Sequence, residues 1–216
     1  MKQMHRPDLF CWSQFNEDRN IDFHSFVWVR EGGNIVIDPL PLSKHDLEHL
    51  KSLGNIARIV ISNSSHVRAT AELLKSISAN VAGPIAEKEG FPISCDHFLS
   101  DNEELVPGFK ILELQGSKTP GELAFLIEDS TLITGDLIRS HKGNKLHLLP
   151  ADKLVDASAV IESVKRLQSI ETITSVLPGD GFHFFENGLA HLKNIALNLQ
   201  TKPKETRAEK NPESVC

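Results

Sequence analysis

The residues able to do chemistry concentrate in a few places. The segment Ser62-Asn63-Ser64-Ser65-His66-Val67-Arg68 sets hydroxyls beside an imidazole and a guanidinium. A serine nucleophile needs a base within hydrogen-bond reach and donors aimed at the developing oxyanion. Adjacent residues rarely align that way and no oxyanion loop is evident, so Ser64 and Ser65 read as structural. His45 and His49 stand four apart on a predicted helix, a spacing that can bind metal, but that helix is amphipathic and the pair reads as part of a solvated face. The glycines Gly116, Gly121, Gly135, Gly179 and Gly181 read as tight-turn residues. Neither G-x-x-x-x-G-K-[ST] nor G-x-G-x-x-G occurs to cradle a phosphate. Cys11, Cys95 and Cys216 are far apart and form no CxxC pair, which argues against a disulfide framework or a Cys-rich zinc site and makes a reducing cytoplasm the expected setting. His97, His141, His147 and His191 receive no role.

The elements that must position these groups follow from pattern. Phe26–Arg30 and Ile35–Pro39 flank Gly32-Gly33 as a β-hairpin. Ser43, three residues before Asp46, caps a helix that carries Leu47, Leu50 and Leu53 on one face and stops at Gly54. A buried strand is expected at 58–61, a helix over 67–77, and a short strand at 81–84, before a polar stretch ending in Asn102-Glu103-Glu104. Strand character resumes at 109–114, and 122–128 with 131–134 form a second hairpin. Val160, Val164 and Leu167 mark a helix, 173–177 a strand, and Leu189, Leu192 and Ile195 a last helix. Strands arriving both as hairpins and as β-α-β crossovers imply a layered α/β protein with mixed sheets. One domain is expected over 1–200, with a flexible polar tail over 201–216.

With 216 residues, 40% hydrophobic and 24% charged, the chain has enough apolar material for a substantial core. A net charge of -6 without a dense basic block argues against nucleic acid and against an anionic membrane as partners. No apolar run approaches the roughly 18 residues of a membrane span. The sequence carries no signal of oligomeric state.

Four segments, in order, resemble the metallo-β-lactamase superfamily. Asn34-Ile35-Val36-Ile37-Asp38 looks like a strand ending in an acidic residue. Residues Ile59 to Arg68 stand at the HxHxDH metal motif. Gly116-Ser117-Lys118-Thr119-Pro120-Gly121 with Thr134-Gly135-Asp136 looks like the GHTPG and TGD segments, and Pro178-Gly179-Asp180-Gly181 looks like PGHG. The resemblance spans about residues 20 to 195 and implies a four-layer αββα sandwich. It also implies a hydrolytic centre of one or two metal ions, held by histidines and carboxylates, that turns bound water into hydroxide.

Position by position the ligands of that centre are replaced. HxH falls on Asn63 and Ser65, DH on Val67 and Arg68, and the other two histidines on Lys118 and Asp180, which leaves the bridging carboxylate as Asp136. The expectation is that cations replace metal. If the fold gathers Asp38, Asp136 and Asp180 into one cleft, they need positive charge to avoid mutual repulsion. A Lys118–Asp136–Asp180 ion cluster with Arg68 close by would supply it. No cofactor is then expected, and the cleft reads either as silent or as a pocket for a small polar or anionic molecule, with Arg68 suited to carboxylate or phosphate. The rival reading is a hydrolase of esters, thioesters or lactones with zinc or another divalent metal in a remodelled site of His66, Asp136, Asp180 and His183. His24, at the end of an early strand, also leans towards the cleft.

Overall fold

The computed structural model describes residues 1–197, so the expected tail over 201–216 lies outside the described residues. The first half contains β1 (Lys2–Gln3), β2 (Leu9–Asn16), β3 (Ile21–Trp28), β4 (Asn34–Ile37), α1 (Lys44–Ser52), β5 (Ile56–Val60), α2 (Thr70–Leu73), β6 (Asn80–Pro84) and β7 (His97–Leu99). The second half contains β8 (Glu104–Val106), β9 (Phe109–Leu114), β10 (Glu122–Ile127), β11 (Thr131–Thr134), β12 (Ile138–Lys142), β13 (Lys145–Leu148), α3 (Ala157–Gln168), β14 (Ser175–Pro178) and α4 (Gly188–Lys193).

Strands β1 to β7 form one sheet in chain order, antiparallel from β1 to β4 and parallel from β4 to β7. The second sheet runs β14-β11-β10-β9-β8, with β14 and β11 parallel and the other neighbours antiparallel. β12 and β13 make a separate ribbon. Alternation along each strand divides the apolar side chains into three layers. Phe26, Ile35, Ile37 and Val60 of the first sheet meet Ile111, Leu123, Phe125 and Leu177 of the second between the sheets. Val27, Val36, Ile59 and Val81 face the other way and pack with Leu50 of α1 and Leu73 of α2. Leu112, Leu114, Ala124 and Leu126 pack under Val160, Val164 and Leu167 of α3 and Leu192 of α4. Three apolar layers between four structural layers are the αββα sandwich.

Local chemistry accounts for the main junctions. The Ser43 hydroxyl accepts from the Asp46 backbone N–H at 3.0 Å and starts α1. Glu128 and Asp129 both adopt positive φ (45° and 54°), the primed turn that suits the β10–β11 hairpin. The helix predicted over 67–77 is corrected: α2 has only four helical residues, because Arg68 takes a left-handed φ of 44° and separates it from a 3-10 turn at Ser64–His66. The polar stretch before Glu104 contains β7. No described helix is long and apolar enough to cross a membrane.

Candidate functional site

Two of the parallel strand pairs, β4 with β5 and β11 with β14, end at the same side of the sandwich, and the charged residues follow those ends. Asp38 comes directly after β4, and Ser62 and Asn63 two and three residues after β5. Asp136 lies two residues after β11, and Asp180 two residues after β14. Open α/β sheets place ligands outside the carboxyl ends of parallel strands. Phe23 of β3 pairs with Asp180 in an isolated bridge, and the His24 backbone N–H donates to the Gly179 carbonyl at 2.9 Å, which ties the β14 turn to the first sheet. Gly181 has a φ of 93°, and a Cβ there would stand 2.0 Å from the Ser140 carbonyl oxygen, so only glycine fits this close passage.

His66 joins two carboxylates. Its Nδ1 lies 2.7 Å from Asp38 Oδ2 and its Nε2 3.4 Å from Asp136 Oδ2. Asp38 sits at a left-handed φ of 49° and also accepts from the Ser62 backbone N–H at 2.7 Å and the Ser62 hydroxyl at 2.6 Å. Asp136 is saturated. Its Oδ2 accepts from the Lys118 ammonium at 2.7 Å and the Asn63 amide at 3.3 Å, and its Oδ1 accepts from Arg139 Nη2 at 2.9 Å. The same Arg139 nitrogen is 3.5 Å from Asp180 Oδ2, which also faces His141 Nε2 at 2.8 Å. Asp180 Oδ1 is buried without a partner. Arg68 donates to the backbone carbonyls of His24 (2.6 Å) and Asp38 (3.2 Å), so it adds charge beside the carboxylates without pairing with them.

The electrostatics follow from burial and pairing. Burial and the Arg68 charge oppose protonation of His66, but Asp38 and Asp136 outweigh them and raise its pKa to about 9. Both ring nitrogens are then donors, so Arg68 Nη2, 3.2 Å from His66 Nε2, is a neighbouring cation and not a hydrogen-bond donor to it. Burial pushes Asp136 upward, yet His66 and Lys118 hold it well below the usual carboxylate range. Asp38 is likewise lowered, with burial opposed by His66 and Arg68. Glu122, fully buried at the start of β10, goes the other way: burial and the neighbouring Asp136 charge raise it to about 7. It accepts from the Ser117 hydroxyl at 2.7 Å and the Leu137 backbone N–H at 2.8 Å.

A family model described as the metallo-beta-lactamase superfamily matches residues 1–199. The chain belongs to the metallo-beta-lactamase superfamily. Solved structures show the same fold at low identity. The DIM-1 metallo-beta-lactamase has a TM-score of 0.70 at 17% identity, covering 88% of this chain and 92% of that one. TTHA1623 in a di-iron-bound form gives 0.66 at 21%, covering 85% and 97%. FIM-1 from Pseudomonas aeruginosa in its mono-zinc form gives 0.66 at 14%, covering 86% and 87%. No curated protein matches the chain.

These relatives correct one expectation. Superfamily structures hold zinc or di-iron, so the inference that this chain takes no cofactor does not stand. The donors at the superfamily's own ligand positions nevertheless do not fit a dinuclear centre. Val67 has no donor atom, Ser65 is exposed, Arg68 and Lys118 are cations, and both Asp136 oxygens are already engaged by charged donors. The remodelled set of His66, Asp136, Asp180 and His183 is not assembled either. His183 instead lies tilted against His24, with ring centroids 4.1 Å apart, and the metal-competent group among the described residues is Cys11, His24 and His183.

Sequence reading missed Arg139, His141, Ser62 and Glu122. Arg139 carried a weak signal, standing three residues after Asp136. Glu122 carried a clearer one, a carboxylate heading the apolar run Leu123–Ile127.

Proposed function

We propose that the cleft at the ends of β4, β5, β11 and β14 binds a small polar or anionic molecule, and that fixed cationic side chains have taken the place of the superfamily's dinuclear hydrolytic centre. The observation that carries this reading is the Lys118 ammonium seated 2.7 Å from Asp136 with 31% of its side chain exposed, a cation that faces both the buried network and the solvent. Asp38, Asp136 and Asp180 stand against His66, Arg68, Lys118 and Arg139, so positive charge is in excess while Glu122 holds its proton. An anion entering beside Lys118 meets that excess, and Asp180 Oδ1 is an acceptor left for a ligand hydroxyl or amine. A cytoplasmic setting belongs to the same proposal, supported by the free thiols of Cys11 and Cys95.

The metal-bound relatives favour a second reading, metal-dependent hydrolysis, with an ester, thioester or lactone as the substrate class that the sequence resemblance suggests. Titration calorimetry at low ionic strength with inorganic phosphate, acetate and citrate separates the two. The proposal expects at least one anion to bind, at least tenfold more weakly in Lys118→Met. Anion binding indifferent to Lys118, or Asp136-dependent turnover of a thioester or lactone on adding zinc, iron or manganese, would overturn it.

A further inference from the structure

Beside the charged cleft, on the face of the β2–β3 hairpin that meets the loop after β14, lies a cavity of about 660 Å³ whose wall includes Met4, His5, Cys11, Ser13, His24 and His183. Three of these residues converge. Cys11 Sγ and one nitrogen each from His24 and His183 all lie within 4.8 Å of one another.

The protonation pattern of the two imidazoles is the one a metal requires. His24 Nε2 is 2.6 Å from the Gly181 carbonyl oxygen, which only accepts, so Nε2 carries the proton. Burial keeps the ring neutral, which leaves Nδ1 unprotonated, 3.9 Å from Cys11 Sγ and accepting from the Ser13 hydroxyl at 2.7 Å. A ligating histidine whose other nitrogen donates to a backbone carbonyl is the usual support of a metal site. His183 supplies the independent observation: its Nε2 is buried and has no hydrogen-bond partner, a cost that the protein's own contacts do not explain. Burial and the neighbouring His24 push its pKa down to about 3, so this nitrogen too presents a lone pair. Cys11 is 4% exposed and makes only long contacts, to the Trp12 carbonyl at 3.5 Å and the Ser13 hydroxyl at 3.8 Å.

We propose that Cys11, His24 and His183 form a mononuclear zinc site, separate from the superfamily's ligand positions, with its fourth coordination place open to the cavity. One sulfur and two imidazole nitrogens suit zinc and exclude the hard oxygen-seeking ions. Zinc holds sulfur at about 2.3 Å and nitrogen at about 2.1 Å in a tetrahedron, so its ligand atoms stand roughly 3.4–3.6 Å apart. With ligand atoms up to 4.8 Å apart, the separations need to close by as much as about 1.4 Å, within reach of side-chain rotations. Binding ionises the Cys11 thiol, otherwise pushed up to about 11 by burial, and releases that proton to solvent. The Ser13 hydroxyl gives up its bond to His24 Nδ1 as the metal takes that lone pair.

The test uses the full chain, purified without a metal-chelating tag, stripped with chelator and titrated with zinc and, as a spectroscopic probe, cobalt(II). The expected result is one ion per chain and a cobalt spectrum with tetrahedral bands and a thiolate charge-transfer band. Cys11→Ser should abolish that band, and both Cys11→Ser and His183→Gln should weaken zinc binding at least tenfold while retaining the wild-type circular dichroism. Asp136→Ala should leave the affinity unchanged. No uptake, a cobalt spectrum indifferent to Cys11→Ser, or uptake lost in Asp136→Ala but kept in Cys11→Ser would overturn the assignment. The anion-binding reading of the charged cleft does not depend on any of these results.

Discussion

Replacing His66 with asparagine removes the imidazole that joins Asp38 to Asp136 and leaves two buried carboxylates short of a counter-charge. Removing one partner of a buried ion pair costs about 3–5 kcal/mol, and that is the loss expected near neutral pH. The pH dependence is the sharper signature. His66 titrates at about 9 in the folded chain against 6.5 for an ordinary histidine, so its contribution is complete below pH 6.5. Between pH 6.5 and 9 the folded state binds the extra proton, and the contribution falls as pH rises, gone above 9. At about 1.4 kcal/mol per pH unit, wild type should lose about 3 kcal/mol across that window relative to His66→Asn. Other shifted groups act mainly elsewhere: Glu122 below about pH 7, the depressed His24 and His183 below 6.5, and the Cys11 thiol above 9. Urea unfolding followed by the fluorescence of buried Trp12 and Trp28 gives the difference curve. A difference that stays flat or widens with pH would sink the assignment of His66 as the cation of this network. Should the variant not fold, an NMR titration of His66 in wild type decides the matter, since a midpoint at or below 6.5 is incompatible with the two carboxylate contacts.

Arg139→Met strips charge from both Asp136 and Asp180 and should cost about 3–5 kcal/mol in chemical denaturation, whereas Lys118→Met, at a partly exposed position, should cost about 1 kcal/mol. Gly181→Ala forces a Cβ to 2.0 Å from the Ser140 carbonyl oxygen at a left-handed φ and should lower stability by at least about 2 kcal/mol, visible as a lower melting temperature. Glu122 is raised from 4.5 to about 7 on folding, so above pH 7 its charge opposes the folded state. Glu122→Gln should therefore be more stable than wild type by about 1–3 kcal/mol at pH 8, with the advantage disappearing below pH 5; unfolding curves at the two pH values show whether it does.

Much of the fold was legible because its signals are local. The Gly32-Gly33 hairpin, the Ser43 cap and the spacing of Val160, Val164 and Leu167 each lie within a dozen residues, and each corresponds to an observed element. β2 was not legible, because its outer half is exposed without alternation, and β7 and β8 are too short to show a period. The helix over 67–77 was overread because periodicity says nothing of the left-handed turn at Arg68. Motif order indicated that Asp38, Asp136 and Asp180 end strands of one cleft. Which cation meets which carboxylate was beyond it. Arg139 reaches Asp136 by curling back over three residues, His66 turns inward on a single 3-10 turn, and Arg68 spends its donors on carbonyls. Cys11 and His183 are brought together only by the meeting of β2 with a loop some 170 residues away.

The bridge between Phe23 and Asp180, made by the His24 and Gly181 backbone N–H groups donating to the Gly179 and Asp22 carbonyls, joins the His24 imidazole bond to Gly181 in stitching the sheets together at the end that carries both clusters. That end of the sandwich is a clamped seam. Prising the layers apart there would break two backbone bonds and the His24 imidazole bond to Gly181 at once, whereas turning the Lys118 or His141 side chain disturbs none of them.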